Sequence, residues 1–132
     1  MRRRRFTPYP KGVTETDKAD VLWQQGLDLL ARGLNTEAAT AFRAAIAADP
    51  AHVEAHHGLV RALGDAGQLN QSVAAAMGLT ALTPADPVAH TALSIALQKA
   101  GHIDQAEAAS ARARILEWKQ QLLLPREPDF EP

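Results

Sequence analysis

Ala19 to His52 reads ADVLWQQGLDLLARGLNTEAATAFRAAIAADPAH, a stretch of 34 residues whose frame returns twice more, at Val53 to Asp86 and at Pro87 to Gln120. The marks that recur at that step are Gly33, Gly67 and Gly101; Leu29, Leu63 and Leu97; Leu59 and Leu93, with Gln25 in the first copy; and Pro50 and Pro84. A fixed period of this length signals a stack of small units, each burying its apolar face against the next. The expected object is therefore an array of repeats.

Each unit reads as two helices joined by a tight turn. In the first, Leu22, Gly26, Leu29 and Leu30 fall at helical spacing, Arg32-Gly33-Leu34-Asn35 interrupts them, and Ala38, Phe42, Ala45 and Ile46 resume the pattern. Gly33, Gly67 and Gly101 suit the left-handed backbone that closes a helix, because glycine has no Cβ to clash there. Thr36, Asn70 and Asp104 follow three residues later as expected caps, and Glu107 adds a capping-box signal to the last. Asp49-Pro50 and Asp86-Pro87 place a capping oxygen before a proline, which fits the first helical position.

These residues resemble the tetratricopeptide repeat pattern, W-x2-L-G-x2-Y in the first helix, then A-x3-F and a closing P. Leu22, Gln25, Gly26, Leu29, Ala38, Phe42 and Pro50 carry it in the first unit. His56, Leu59, Val60, Leu63, Ser72, Ala76 and Pro84 follow in the second, and His90, Leu93, Ser94, Leu97, Ala106 and Ser110 in the third. Ala76 and Ser110 stand where Phe42 stands, so smaller side chains should pack the later units, and Trp118 replaces the closing proline. The resemblance implies an all-α, right-handed solenoid of six helices that works by binding another protein. It is similar to short stand-alone bacterial members of the family.

Composition agrees. With 46% hydrophobic residues and no cysteine in 132, the chain is one alanine- and leucine-rich domain, and a disulfide scaffold or thiolate metal site is excluded. No apolar run approaches the ~18 residues of a membrane helix, and the arginine-rich start lacks a secretory signal's apolar segment, so a cytoplasmic protein is expected. Five histidines invite a metal reading, but no third ligand joins His52 and His56 at motif spacing, and His56 and His90 hold the same place in their units. Without a nucleophile and spaced base, a phosphate loop or paired carboxylates in an apolar setting, no enzymatic activity, cofactor or metal is expected.

The division expected is a basic extended head over 1–18, three repeats over 19–124 and a disordered tail over 125–132. Arg2, Arg3, Arg4, Arg5 and Lys11 carry five positive charges ahead of the first acid, Glu15; the whole chain is at -1, so the remainder sums to -6. Pro8 and Pro10 favour extended backbone there. The head reads either as a solvated tail or as a docking segment, with Phe6 and Tyr9 seeking pockets and Arg2 to Arg5 seeking carboxylates or phosphates. A tether to nucleic acid or an anionic membrane through Arg2 to Arg5 is the alternative; the acidic remainder argues against it.

The resemblance also implies an inner groove lined by the first helix of each unit. Asp20, Trp23, Leu27 and Ala31, then Glu54, His57, Arg61 and Asp65, then Val88, Thr91, Ile95 and Lys99 would face it. Of these, Asp20, Trp23, Leu27, His57, Arg61, Thr91, Ile95 and Lys99 are the candidate partner contacts. Trp23 and Leu27 either form an apolar binding patch or pack into the domain's edge or under the head. Because they replace the polar groups of the carboxylate-clamping variant of the family, an extended or helical apolar peptide is the expected occupant.

No helix breaker intervenes between Asp104 and Pro125, so the last helix should run about 20 residues, longer than its counterparts. Ala106, Ala109, Ala113 and Leu116 make one stripe, and Ile115, Trp118 and Leu122 another, with Leu123 and Leu124 beside it. That second stripe is a candidate for partner contact or for self-association into a homo-oligomer, because a repeat array normally needs a polar end cap and none follows.

Overall fold

The computed structural model describes residues 14–125, and the expectations placed on Arg2 to Tyr9 and on the tail beyond Pro125 lie outside them. Six helices follow one another: α1 (Glu15–Ala31), α2 (Asn35–Ala48), α3 (Val53–Asp65), α4 (Leu69–Leu82), α5 (Pro87–Lys99) and α6 (Ile103–Leu123). Each packs on its neighbours in the chain, and α1, α3 and α5 also touch in series, whereas α2, α4 and α6 do not pack on one another. The odd helices are thus crowded into an inner wall, as a solenoid of helix pairs requires.

The turns inside the units are identical. Gly33, Gly67 and Gly101 have φ of 76, 78 and 86°, a region open to glycine without Cβ strain. In the first, Leu34 N–H donates to Leu29 O at 2.9 Å and Gly33 N–H to Leu30 O at 3.0 Å, the paired closure of a Schellman motif. Gln68 to Leu63 and His102 to Leu97 repeat it at 2.9 Å.

The turn is tighter than the sequence suggested. The second helices open directly at Asn35, Leu69 and Ile103, with Leu34, Gln68 and His102 at the cap and no side-chain cap bond. Leu34 already accepts from Ala38 N–H at 2.9 Å, so the ladder starts one residue after the glycine and leaves Thr36, Asn70 and Asp104 inside the first turn.

Between units the caps are His52 and Asp86, which occupy one register position. His52 Nδ1 accepts from Ala55 N–H at 3.1 Å, and Asp86 Oδ1 accepts from Val88 N–H at 3.0 Å, with Pro87 opening α5. Asp49 instead closes α2 and turns its carboxylate onto Ala51 N–H at 3.1 Å, so Asp49-Pro50 is not a helix start. Helix α1 begins four residues before Ala19, where Thr14 and Asp17 form a reciprocal capping box at 3.2 and 3.0 Å. The Thr14 amide and hydroxyl, donating to Asp17, hold its carboxyl below the usual carboxylate range.

The core runs along the stack in three clusters, centred on Phe42 with Leu59 and Leu63, on Val60 with Ala76 and Ala96, and on Leu97 with Ala106 and Ala109. Phe42 is fully buried between two glycines. A Cβ at Gly26 or at Gly58 would stand 2.5 Å from the Phe42 ring, too close for any side chain. One unit on, Ala76 replaces Phe42 while Val60 and Ala92 replace Gly26 and Gly58, so volume moves from one side of the contact to the other. The hydroxyls of Ser72 and Ser94 are satisfied by Val60 O and Ala106 O, each at 2.8 Å.

The last helix runs 21 residues against 14 for α2 and α4, and buries the stripe Ala106, Ala109, Ala113 and Leu116. Its face toward a would-be fourth unit is set by the positions of Ala39, Phe42 and Ile46, which in α6 are Glu107, Ser110 and Arg114. Arg114 donates to Ser110 Oγ at 3.0 Å. That face is therefore polar. Ile115, Trp118, Leu122 and Leu123 stand beside it, 46, 60, 65 and 84% exposed.

Candidate partner-binding groove

The inner wall holds two adjoining hollows. Between α1 and α3, Trp23, Leu27 and Leu30 face Glu54, His57 and Arg61 around about 320 Å³. Between α3 and α5, His57, Arg61 and Asp65 face Ile95, Ala96 and Lys99 around about 380 Å³. His57 and Arg61 belong to both, so the hollows form one furrow across the odd helices.

One end is apolar and the other charged. Leu27 and Ile95 are exposed apolar side chains, 36 and 50% accessible. Asp65 lies 3.7 Å from both Arg61 Nε and Lys99 Nζ, so one carboxylate is shared by two cations. Exposed pairs at this separation contribute only about 0–1 kcal/mol, which leaves both cations available to a ligand. Burial is the main cause that holds the His57 imidazole below the ordinary histidine value, with His56 adding to it against the Asp86 and Glu54 carboxylates. At neutral pH His57 is thus uncharged and adds ring surface to the furrow.

Six of the eight candidate partner contacts come together: Trp23, Leu27, His57, Arg61, Ile95 and Lys99. Asp20 and Thr91 line neither hollow. Thr91 donates its hydroxyl to Pro87 O at 3.0 Å, one turn back. Asp20 Oδ1 lies 2.7 Å from His52 Nε2, and since His52 Nδ1 accepts from Ala55 N–H, Nε2 is the donor. The Trp23 ring leans on the same imidazole at 5.7 Å and 48°. Trp23 is thus half-buried, part wall and part core, rather than a free patch.

The His52 role was missed from sequence, although its register match to Asp86 marks it as a cap. His56 and His90 donate from Nε2 to Pro50 O and Pro84 O at 2.9 and 2.8 Å, one repeat contact made twice. Among the described residues no cluster of three histidines or acids could hold a metal ion, and no helix is long and apolar enough to cross a membrane.

A tetratricopeptide repeat model matches residues 29–94, half of the chain. The chain belongs to the tetratricopeptide repeat family. Solved structures agree on the fold of this tetratricopeptide repeat protein. The type III secretion translocator chaperone SycD of Yersinia enterocolitica matches at 18% identity and TM-score 0.70, over 80% of this chain and 84% of that one. MamA matches at 19% and 0.73, over 79% and 61%, so the chain spans about three fifths of that protein. The CopN-Scc3 complex contains a match at 18% and 0.69, over 89% and 79%. No curated protein matches the sequence significantly. At such identities the likeness is one of fold: a right-handed solenoid of helix pairs, the architecture of a protein-interaction module.

Proposed function

We propose that this tetratricopeptide repeat protein is a non-catalytic adaptor, assembly factor or accessory subunit that holds an apolar segment of another protein in the furrow across α1, α3 and α5. The observation that carries this reading is the juxtaposition of Leu27, Trp23 and Ile95 with Arg61 and Lys99 along one wall. Apolar side chains would supply contact area, and the cations would set the register of a segment carrying an acid. The exposed overhang of α6, with Ile115, Trp118, Leu122 and Leu123, offers a second contact, since each large apolar side chain gains about 1.5–3 kcal/mol on leaving water. The SycD fold has been solved in complex with a peptide of the translocator YopD, which supports a segment-binding use of the architecture.

The test is retention of partners from the native extract on three baits: the full chain, Leu27→Asp with Ile95→Asp, and Trp118→Ala with Leu122→Ala. Leu27 and Ile95 are the cleaner probes, because Trp23 also supports the core. Loss of the retained protein on the groove variant, with an unchanged thermal melt, is the expected result. Retention undiminished on the groove variant would sink the reading.

A further inference from the structure

Helix α6 keeps a second pattern on the side turned away from its buried stripe. Ala108, Ala111, Ile115, Trp118 and Leu122 recur at alternating steps of three and four, the spacing of the apolar seam along which one helix packs on another. None of the five is buried, and beyond Leu116 no residue of the helix is buried. With about 100° of turn per residue, Ile115, Trp118 and Leu122 fall within roughly 60° of arc. That width suits a seam between two helices, since a helix that lies in a membrane surface needs a broader apolar face. A lone convex helix also offers no trough to an extended strand, so its ridge is buried by a second helix whose side chains enter the grooves beside it.

Charge decides what that second helix is. Arg112 and Lys119, one heptad apart, border the seam on one side and Arg114 borders it on the other, all three exposed. Among the described residues neither Arg112 nor Lys119 forms an ion pair, and Arg114 donates to the neutral hydroxyl of Ser110. Glu117 falls on the far side of the helix, and Glu107 stands at the alanine end, where there is little to bury. Two copies of this chain fit poorly. Side by side, Arg114 meets Lys119 if the helices run parallel and Arg112 meets Lys119 if they run antiparallel, and like charges at those bordering places oppose pairing.

We propose that the overhang of α6 docks an amphipathic helix of another protein whose apolar ridge is bordered by Asp or Glu. Ile115, Trp118 and Leu122 bury against that ridge, the alanines leave room for its larger side chains, and Arg112, Arg114 and Lys119 pair with its acids. This rests on the reading of the chain as an interaction module and gives its second contact a partner class, while the furrow is built separately from α1, α3 and α5.

Two synthetic peptides of about three heptads serve as probes, both with Leu at the seam positions, one with Glu at every bordering place and the other with Lys. Each is titrated into uniformly isotope-labelled full chain. The expected result is binding of the Glu peptide at least about tenfold tighter than of the Lys peptide at low salt, the two drawing together in about 0.5 M salt. Amide shifts should gather at Arg112 to Leu122 and at the Trp118 indole. Trp118→Ala with Leu122→Ala abolishes binding of the Glu peptide, and Arg112→Glu with Lys119→Glu inverts the preference. All four side chains are exposed, so the thermal melt of each variant should match that of the unchanged chain.

Equal affinity for the two peptides, or binding of neither, overturns the proposal. Shifts gathered at Trp23, Leu27 and Ile95 overturn it too, because they put the probe in the furrow, and they leave the groove reading standing. A dimer in sedimentation equilibrium that Trp118→Ala dissociates assigns the seam to a second copy. Flotation with vesicles of phosphatidylcholine and phosphatidylserine that the same variant abolishes assigns it to a lipid surface, and either result overturns the proposal. Undiminished retention of partners on the Leu27→Asp, Ile95→Asp bait sinks the groove reading alone, since the seam residues are intact there.

Discussion

The two junctions between repeats use one frame and opposite solutions. At the first, a phenylalanine on α2 fills the space left by glycines on α1 and α3; at the second, Ala76 packs with Val60, and Ala92 takes the place of Gly58. The difference teaches that a repeat preserves the distance between its helices, while the side chains that fill that distance can trade volume across it. Close packing at near-crystalline density makes each half of the trade dependent on the other.

Removing the large partner is the strongest way to break the comparison. Phe42→Ala should cost about 3–5 kcal/mol by urea denaturation, whereas Val60→Ala, which deletes two methyl groups at the second junction, should cost only about 1.6 kcal/mol before any cavity contribution. Equal losses would mean that the two junctions do not differ as described.

Gly58→Ala probes the same contact from the other side. The added methyl meets the Phe42 ring and should destabilise by about 1–3 kcal/mol in spite of alanine's better helix propensity, while in the Phe42→Ala background it should be neutral or stabilising. A double-mutant cycle that comes out additive would remove the contact from the account.

The caps compare the junctions more gently. His52→Ala and Asp86→Ala each remove the acceptor at the start of a first helix and should cost about 0.5–2 kcal/mol. His52 should stand at the upper end, because its loss also strips Asp20 of its partner and Trp23 of its support, and the readout is the difference between the two thermal melts.

The smallest effect is a pH slope. His57 is held below the ordinary histidine value when folded, so as pH falls the unfolded chain takes up the proton first; stability therefore declines as pH drops through the ordinary histidine range and recovers on raising it. His57→Gln should flatten that decline in urea titrations between pH 5 and about 7.5. An unchanged slope would place the titration elsewhere.

Much of this was legible in the residues. A 34-residue step with Gly33, Gly67 and Gly101 predicted six helices and their turns, because left-handed backbone has one economical residue. The stripe Ala106, Ala109, Ala113 and Leu116 was legible for the same kind of reason, since helical spacing puts those side chains on one face. Thr36, Asn70 and Asp104 misled as caps, because propensity alone does not say that a Schellman closure and the next helix share a residue. His52 escaped notice, since histidine is not a usual cap and its role depends on Ala55 N–H and Asp20 lying on either side of one ring. Of the groove, the apolar and cationic residues were legible, but the withdrawal of Asp20 onto His52, the cap of α3, and of Thr91 onto Pro87 O one turn back was not.

Periodic sequence determined the units and their turns, because spacing along a helix is fixed by 3.6 residues per turn and needs no knowledge of the neighbours, while the odd helices as the inner wall followed only from the family resemblance that those marks carry. Only the tertiary structure decided which side chains trade volume across a junction and which polar groups are already satisfied. Those depend on distances between atoms far apart in the chain, and such distances follow from packing all six helices at once.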